Sequence, residues 1–141
     1  MTDEHLEATI SVRGVLISSD RRILVAKRAS DGVWELPGGR LEHNECATEA
    51  LEREIHEETS MTVIAGDPLQ THSWTNDRGN GRFAVYYCCR HNDGDVTLSE
   101  EHTAFRWLPH DEAREVLSPE ATAAIRRAIR RRYRLSDHSL P

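Results

Sequence analysis

Residues Gly38–Met61, GGRLEHNECATEALEREIHEETSM, put more acid on one predicted helix than a helix surface readily tolerates. The spacing predicts a helix from about Glu45 to Thr59. At about 100° per residue, Glu54 and Glu58 lie one turn apart and Glu57 lies within a turn of both. Ala47, Ala50 and Leu51 share that side of the helix, so the glutamates belong at the edge of a core and not on a fully wet face. Like charges at this spacing cost roughly 0.2–0.5 kcal/mol per pair even when exposed, and partial burial raises that cost. A positive partner is therefore expected. Mg²⁺ suits the site, because it takes carboxylate oxygens, keeps several waters and is completed by substrate phosphates.

The same residues carry a family resemblance. Counting from Gly39, five residues lead to Glu45, seven more follow, and then comes Arg53-Glu54-Ile55-His56-Glu57-Glu58-Thr59-Ser60-Met61. This resembles the Nudix box, G-x5-E-x7-R-E-U-x-E-E-x-G-U, where U is a large apolar residue. Every fixed position matches except the final glycine, where Ser60 stands. Trp34-Glu35-Leu36-Pro37-Gly38 is similar to the usual entry to the box.

The resemblance implies an α/β fold, the Nudix-type α/β/α sandwich with a mixed β-sheet between helices. It also implies Mg²⁺-dependent hydrolysis of a diphosphate linkage, with Mn²⁺ as an alternative ion. Glu54, Glu57 and Glu58 are carried over as metal ligands, with the carbonyl of Gly38 beside them. Glu54, or an acid of the Glu100-Glu101 loop, would orient or deprotonate the water; Glu101 has a surface role as its competing reading. Arg53 would pair with a box glutamate and fix its rotamer, for which a planar fork suits better than lysine. Glu45 is expected to support the loop.

Length and composition set the frame. The chain has 141 residues and a net charge of −6, which suits one domain. Residues 8–134 are read as that domain, with flexible tails at 1–7 and 135–141. No apolar run reaches the length of about 18 residues that a membrane helix needs, and MTDEHLEATI lacks the regions of a signal peptide. The three cysteines, Cys46, Cys88 and Cys89, form no disulfide framework. Reduced thiols and a cytoplasmic location are expected.

In chain order, Thr9–Ile17 and Ile23–Arg28 read as a hairpin around Ser18–Arg22. Lys27 and Arg28 end its second strand, as a solvated strand end or as phosphate contacts. Asn44 tolerates a left-handed conformation, and it or Cys46 is the expected helix cap. Met61–Ala65 starts a strand, Gly66-Asp67-Pro68 breaks it, and Leu69–Trp74 resumes it. Asn76–Gly81 is a turn. Phe83–Cys89 is apolar on both alternations, as a central strand covered on both faces would be. Val96–Leu98 and Thr103–Leu108 read as strands, and Asp111–Leu117 and Pro119–Arg132 as helices, the last capped by Ser118 with Pro119 in its first position.

Candidate substrate contacts are Lys27, Arg28, Gly39 and Trp74. Gly38-Gly39 lets backbone approach a ligand closely. Trp74, with His72, flanks the turn and either stacks on a base or packs. Six arginines between Arg126 and Arg134 suggest an acidic partner, yet a solvated helix face is the ordinary reading, so nucleic acid is not the expected partner. A nucleotide-type small molecule is, and dimers being common in the family, a homodimer belongs to the expectations. The competing class is a catalytically silent Nudix-fold module that binds nucleotide or regulates. Cap removal on RNA is a third reading. The runs that mark the NADH, coenzyme A and typical ADP-ribose branches are absent, so the substrate expected is a nucleoside di- or triphosphate, a nucleotide sugar or a dinucleoside polyphosphate.

Overall fold

The structure, a computed structural model, describes residues 4–139, with side chains up to Tyr133. Residues 1–3 and 140–141 of the expected tails lie outside the described residues. The elements are β1 Ala8–Leu16, β2 Arg22–Arg28, β3 Trp34–Glu35, β4 Gly38–Arg40, α1 Ala47–Thr59, β5 Val63–Thr75, β6 Gly81–His91, β7 His102–Pro109, α2 His110–Val116 and α3 Pro119–Ser139.

Period-two alternation sorts the strands' apolar residues between two cores. Val12, Leu16, Leu24, Tyr87 and Cys89 pack with Ala50, Leu51 and Ile55 of α1. Their neighbours Val15, Ile17, Ile23, Val25, Ala84 and Tyr86 pack on the opposite side with Ala113 of α2 and Ala121, Ala124, Ile125 and Ala128 of α3. Helices thus cover both faces, as the α/β expectation required. Burying one large side chain such as Ile55 contributes about 1.5–3 kcal/mol.

The strands form two sheets. One is mixed, in the order β4-β1-β6-β5, with β1 and β6 parallel. The other is antiparallel, in the order β3-β2-β7. The expected β1–β2 hairpin is therefore replaced by a crossing between sheets, joined by one antiparallel bridge between Ile17 and Ile23. A sequence run shows that two strands are adjacent in the chain but not which neighbour each prefers. β6 lies between β1 and β5, as its two-sided apolar pattern predicts.

Two further readings change. β5 runs through Gly66-Asp67-Pro68 with register shifts on either side of Pro68 instead of breaking. It is an edge strand, where a proline without an N–H is tolerated. Val96–Leu98 is not a strand; this segment lies over the end of α1, with the Thr97 amide donating to Thr59 O (2.9 Å) and the Ser99 amide to Glu58 O (3.1 Å). Those contacts satisfy helix-end carbonyls that have no partner within the helix. The α3 start follows expectation, with the Ser118 hydroxyl accepting from the Ala121 amide at 3.2 Å.

Candidate active site

Helix α1 presents the box glutamates toward the β4 glycines. Its N-cap is Cys46, which makes no side-chain capping bond, and Asn44 just before it is left-handed (φ 63°). Glu45 holds the approach instead, accepting from the Glu42 amide at 2.9 Å.

Arg53 gathers three carboxylates. Its guanidinium donates to Glu45 Oε2 (3.0 Å), Glu54 Oε1 (3.3 Å) and Glu57 Oε1 (3.2 Å). These bonds, Glu45's first, raise the pKa of the guanidinium further. Glu45 is held below the usual carboxylate range by the Glu42 amide and then by Arg53. Glu54 is pushed up by burial despite Arg53, and the nearby charges of Glu57 and Glu101 add to the rise.

Glu58 is placed differently. It is 3% exposed, and its Oε2 accepts from the Gly38 amide at 3.2 Å. Burial pushes its pKa up to about 8, more than the Gly38 amide and Arg13 can offset. Gly38 has φ +152°, and a Cβ there would collide with the Val12 carbonyl. A Cβ on Gly39 would collide with the Glu54 carboxyl group. Both glycines are therefore required by close packing of β4 against β1 and α1.

Glu101 opens the strand β7 side of the site. One ligand atom each of Glu58, Glu101 and His102 lies within 4.8 Å of the others. His102 Nε2 meets Glu35 Oε2 at 2.9 Å, and Glu35 also pairs with Arg13 (3.4 Å) and Arg28 (3.5 Å). Arg28 is further held by Asp31 at 2.7 Å. A cleft beside this cluster is lined by Arg28, Ala29, Ser30, Glu35, Glu101 and His102.

Of the residues singled out from sequence, Glu45, Arg53, Glu54 and Glu57 thus form one network, with Gly39 against Glu54. Gly38, Glu58 and Glu101 form a second group beside it. Arg28 reaches the site's cleft; Lys27 is not among its lining residues. Trp74 stands apart on β5, 40% exposed and stacked on His72 with ring centroids 4.7 Å apart. His56 faces solvent, as expected of the variable box position. Arg13, Glu35 and His102 join the site from outside the residues that the sequence motif marks. A glutamate inside the otherwise apolar Trp34–Pro37 run and a histidine opening a strand were the available signals.

The donor set fits a divalent cation. Glu57, Glu58 and Glu101 lie within electrostatic reach of Glu54, and the most buried of the four, Glu58, has no cationic hydrogen-bond partner among the described residues. Hard oxygen donors at such density are what Mg²⁺ or Mn²⁺ takes.

A family model described as NUDIX domain matches residues 8–132. This chain belongs to the Nudix hydrolase family. A MutT-like protein of Streptomyces ambofaciens is 36% identical over 107 residues, covering 76% of this chain and 68% of the relative. An 8-oxo-(d)GTP phosphatase of Mycolicibacterium smegmatis is 33% identical over 99 residues, which cover 70% of this chain but only 30% of that longer protein. Among solved structures, the MutT protein of Methanosarcina mazei shares the fold, with a TM-score of 0.78 at 24% identity over 92% of this chain and 99% of the other. The Nudix chain described here is a hydrolase of pyrophosphate bonds. No helix among its described residues is long and apolar enough to cross a membrane.

Proposed function

We propose that this Nudix hydrolase cleaves a diphosphate linkage in a nucleoside di- or triphosphate, or in a nucleoside diphosphate derivative. Glu54, Glu57, Glu58 and the Gly38 carbonyl would hold Mg²⁺, with Mn²⁺ as the alternative. The observation that carries the reading is Glu58, a carboxyl group 3% exposed on α1, beside Glu54 and Glu101 and against the Gly38 amide of β4. A divalent ion at these oxygens would neutralise phosphate charge and acidify a bound water.

The chain's own residues do the rest. Arg53 fixes the Glu54 and Glu57 rotamers, and Glu45 anchors Arg53 from the loop side. Glu54 or Glu101 accepts the proton of the attacking water; both sit beside Glu58, and burial raises the affinity of Glu54 for a proton. Arg28 contacts a phosphate from the cleft wall, Gly39 lets the substrate approach the backbone, and Lys27 adds positive charge nearby.

Strand register suggests where the nucleoside lies. Arg13, Tyr86 and Gln70 form one row across β1, β6 and β5; Ser11, Ala84 and His72 form the next on the same face, and Thr9, Arg82 and Trp74 the one after. The His72–Trp74 stack lies on the same face of the sheet as Arg13, which touches Glu35 beside the site. A base stacked on Trp74 suits a nucleotide substrate. The name of the Mycolicibacterium relative supports a nucleoside triphosphate. Three of the α3 arginines are engaged internally, Arg127 with Leu69 O, Arg131 with Asp67 and Arg132 with Ile17 O, which leaves less free charge for nucleic acid.

The test is a phosphate-release screen over nucleotides, nucleotide sugars and dinucleoside polyphosphates, with Mg²⁺ or Mn²⁺, an EDTA control, and pyrophosphatase present or absent. Metal-dependent turnover of one class is expected. Ligand-induced thermal stabilisation without turnover of any of them would favour a silent binding module.

A further inference from the structure

We propose that the cavity walled by Arg90, Arg131 and Arg132, beyond the end of β1, is a second and non-catalytic site, which binds an oligophosphate anion such as pyrophosphate. None of these residues belongs to the cation or substrate groups described above. The site gives a role to part of the arginine run in α3, which the hydrolysis does not use.

The cavity has a volume of about 530 Å³, within the range of roughly 300–1,000 Å³ for small-molecule pockets. A bulge shapes one wall. Gly66 and Asp67 of β5 stand together opposite the single residue Cys88 of β6, and such an extra residue re-aims the side chains beside it. Asp67 pairs there with the Arg131 guanidinium of α3. Another wall is tied down at one carbonyl. Ile17 O accepts from Arg132 Nη1 (2.6 Å) and from His91 Nε2 (2.9 Å). His91 Nδ1 accepts from the Asp93 amide at 3.2 Å, so both ring nitrogens are used and the ring is uncharged. Ile17 stands about 13 Å along the chain from Arg13, at about 3.3 Å per residue, and Arg13 is the β1 residue that touches Glu35 beside the candidate active site.

Charge identifies the ligand. Burial pushes up the pKa of the half-buried Cys88 thiol in the wall, and the charges of Arg132, Arg131 and Arg90 act against that rise. Guanidinium groups from α3 and β6 therefore bear on one spot. Asp67 offsets Arg131, and Asp93 stands against His91. Arg90 has no ion pair or side-chain hydrogen bond among the described residues, and the Arg132 fork uses only Nη1. Arg21 adds a further guanidinium, since it and Arg132 lie 4.0 and 5.8 Å from the centroid of the same Tyr133 ring. Cations gathered this way in a chain of net charge −6 need a counter-charge, as the box glutamates do. Guanidinium forks match phosphate oxygens in pairs. The volume exceeds what a single phosphate fills, which favours linked phosphoryl groups. That is also the class of anion that a hydrolase of pyrophosphate bonds meets as substrate or product.

The experiment is equilibrium dialysis of radiolabelled pyrophosphate against the full chain in EDTA, at constant ionic strength. The wild type should bind it. Arg90→Gln changes an exposed side chain that holds nothing else in the fold, and it should weaken binding by about tenfold or more, the equivalent of one hydrogen bond to a charged group. Arg78→Gln, also exposed but in the turn at the opposite end of β5, should leave affinity unchanged. Absence of binding to the wild type, full binding by Arg90→Gln, or an equal loss in the two variants overturns the proposal. Unlabelled competitors test the ligand class: citrate or a short single-stranded RNA that displaces the label at lower concentration than pyrophosphate does overturns the oligophosphate assignment. The assay needs neither metal nor turnover. Its failure leaves the hydrolase reading standing, and a hydrolase reading that fails in the phosphate-release screen leaves this result as it is.

Discussion

The two sides of helix α1 solve the same electrostatic problem in opposite ways. On the Arg53 side, Glu45, Glu54 and Glu57 share one guanidinium, and Glu57 keeps 58% of its side chain in solvent. Solvent and a planar five-donor fork satisfy that cluster within the chain. On the Glu58 side, burial is near complete, the bonded partner is one backbone amide, and Glu35, Glu54 and Glu101 stand nearby. On the first side every carboxylate has a cationic partner within the chain; on the second, Glu58 has only the Gly38 amide, and there the proposed cation would supply the missing charge. Carboxylates that look equivalent on a helical wheel therefore divide into a scaffold and a receptor for charge.

The largest effects should follow from removing charge on the receptor side. Glu58→Gln keeps the side chain's shape and its contact to Gly38 but offers one oxygen fewer to a cation. Turnover should fall by about a hundredfold or more, at least the loss seen when a mere supporting partner of a metal site is removed, with the melting temperature in EDTA unchanged or higher. Glu57→Gln should also lower turnover strongly, but without raising stability, because Glu57 is already satisfied by solvent and Arg53. Equal behaviour of the two variants in both assays would erase the division between scaffold and receptor.

Acid and base should sharpen the same comparison in the metal-free protein. Burial raises the folded pKa of Glu58 to about 8, far above the usual carboxylate value of about 4.3. Between those values the folded chain keeps a proton that the unfolded chain has lost. Stability from this group is thus fully present below the unfolded value and is lost as pH rises through the folded one. A shift of that size is worth a few kcal/mol at most, at about 1.36 kcal/mol per unit. Thermal melts in EDTA should therefore weaken from pH 5 to pH 8, and Mg²⁺ should restore the loss at the upper end. Glu58→Gln should flatten the profile. A slope that survives this substitution would assign the titration to another group.

A smaller effect is expected at Arg53. Arg53→Lys keeps the charge but cannot span Glu45, Glu54 and Glu57 at once. The expected outcome is a drop in kcat of about tenfold, within the range for partners that orient metal ligands. Stability should change by less than about 1 kcal/mol, because these pairs are partly exposed and screened. A large stability loss with normal kcat would make the Arg53 side a fold-holding device rather than an orienting one.

How much of this could be read from sequence differs between the two sides. The Arg53 side lies within 13 residues, Glu45 to Glu57, so helical periodicity and box spacing sufficed to group it. The receptor side joins Glu35, Gly38, Glu58, Glu101 and His102, from β3, β4, α1, the turn before β7 and β7 itself. No local period relates those positions. Only the pairing of β2 with both β3 and β7 brings Glu35 to His102. The same limit explains the missed hairpin at β1–β2, since sheet membership depends on partners distant in the chain. It also explains Val96–Leu98, a β-prone run whose amides are taken instead by the end of α1.

Ser60 tests the comparison at its finest grain, because it closes α1 just beyond Glu58. It adopts the left-handed conformation that the family motif reserves for glycine, with φ 64° and ψ 5°. For a residue with a Cβ that conformation costs on the order of 1 kcal/mol. The side chain returns something: its hydroxyl donates to Thr97 O at 3.3 Å, in the segment that leads to Glu101 and His102. A long, exposed hydrogen bond of this kind contributes about 0.5 kcal/mol or less, and glycine's greater freedom in the unfolded chain offsets part of the relief. Ser60→Gly should thus be neutral or raise the melting temperature by about 2–4 °C for a domain of this size, with kcat within a factor of two. A lower melting temperature would mean that the hydroxyl tether outweighs the backbone strain. A lower kcat at unchanged stability would mean that the tether positions Glu101, and the receptor side would then extend one residue past the helix end.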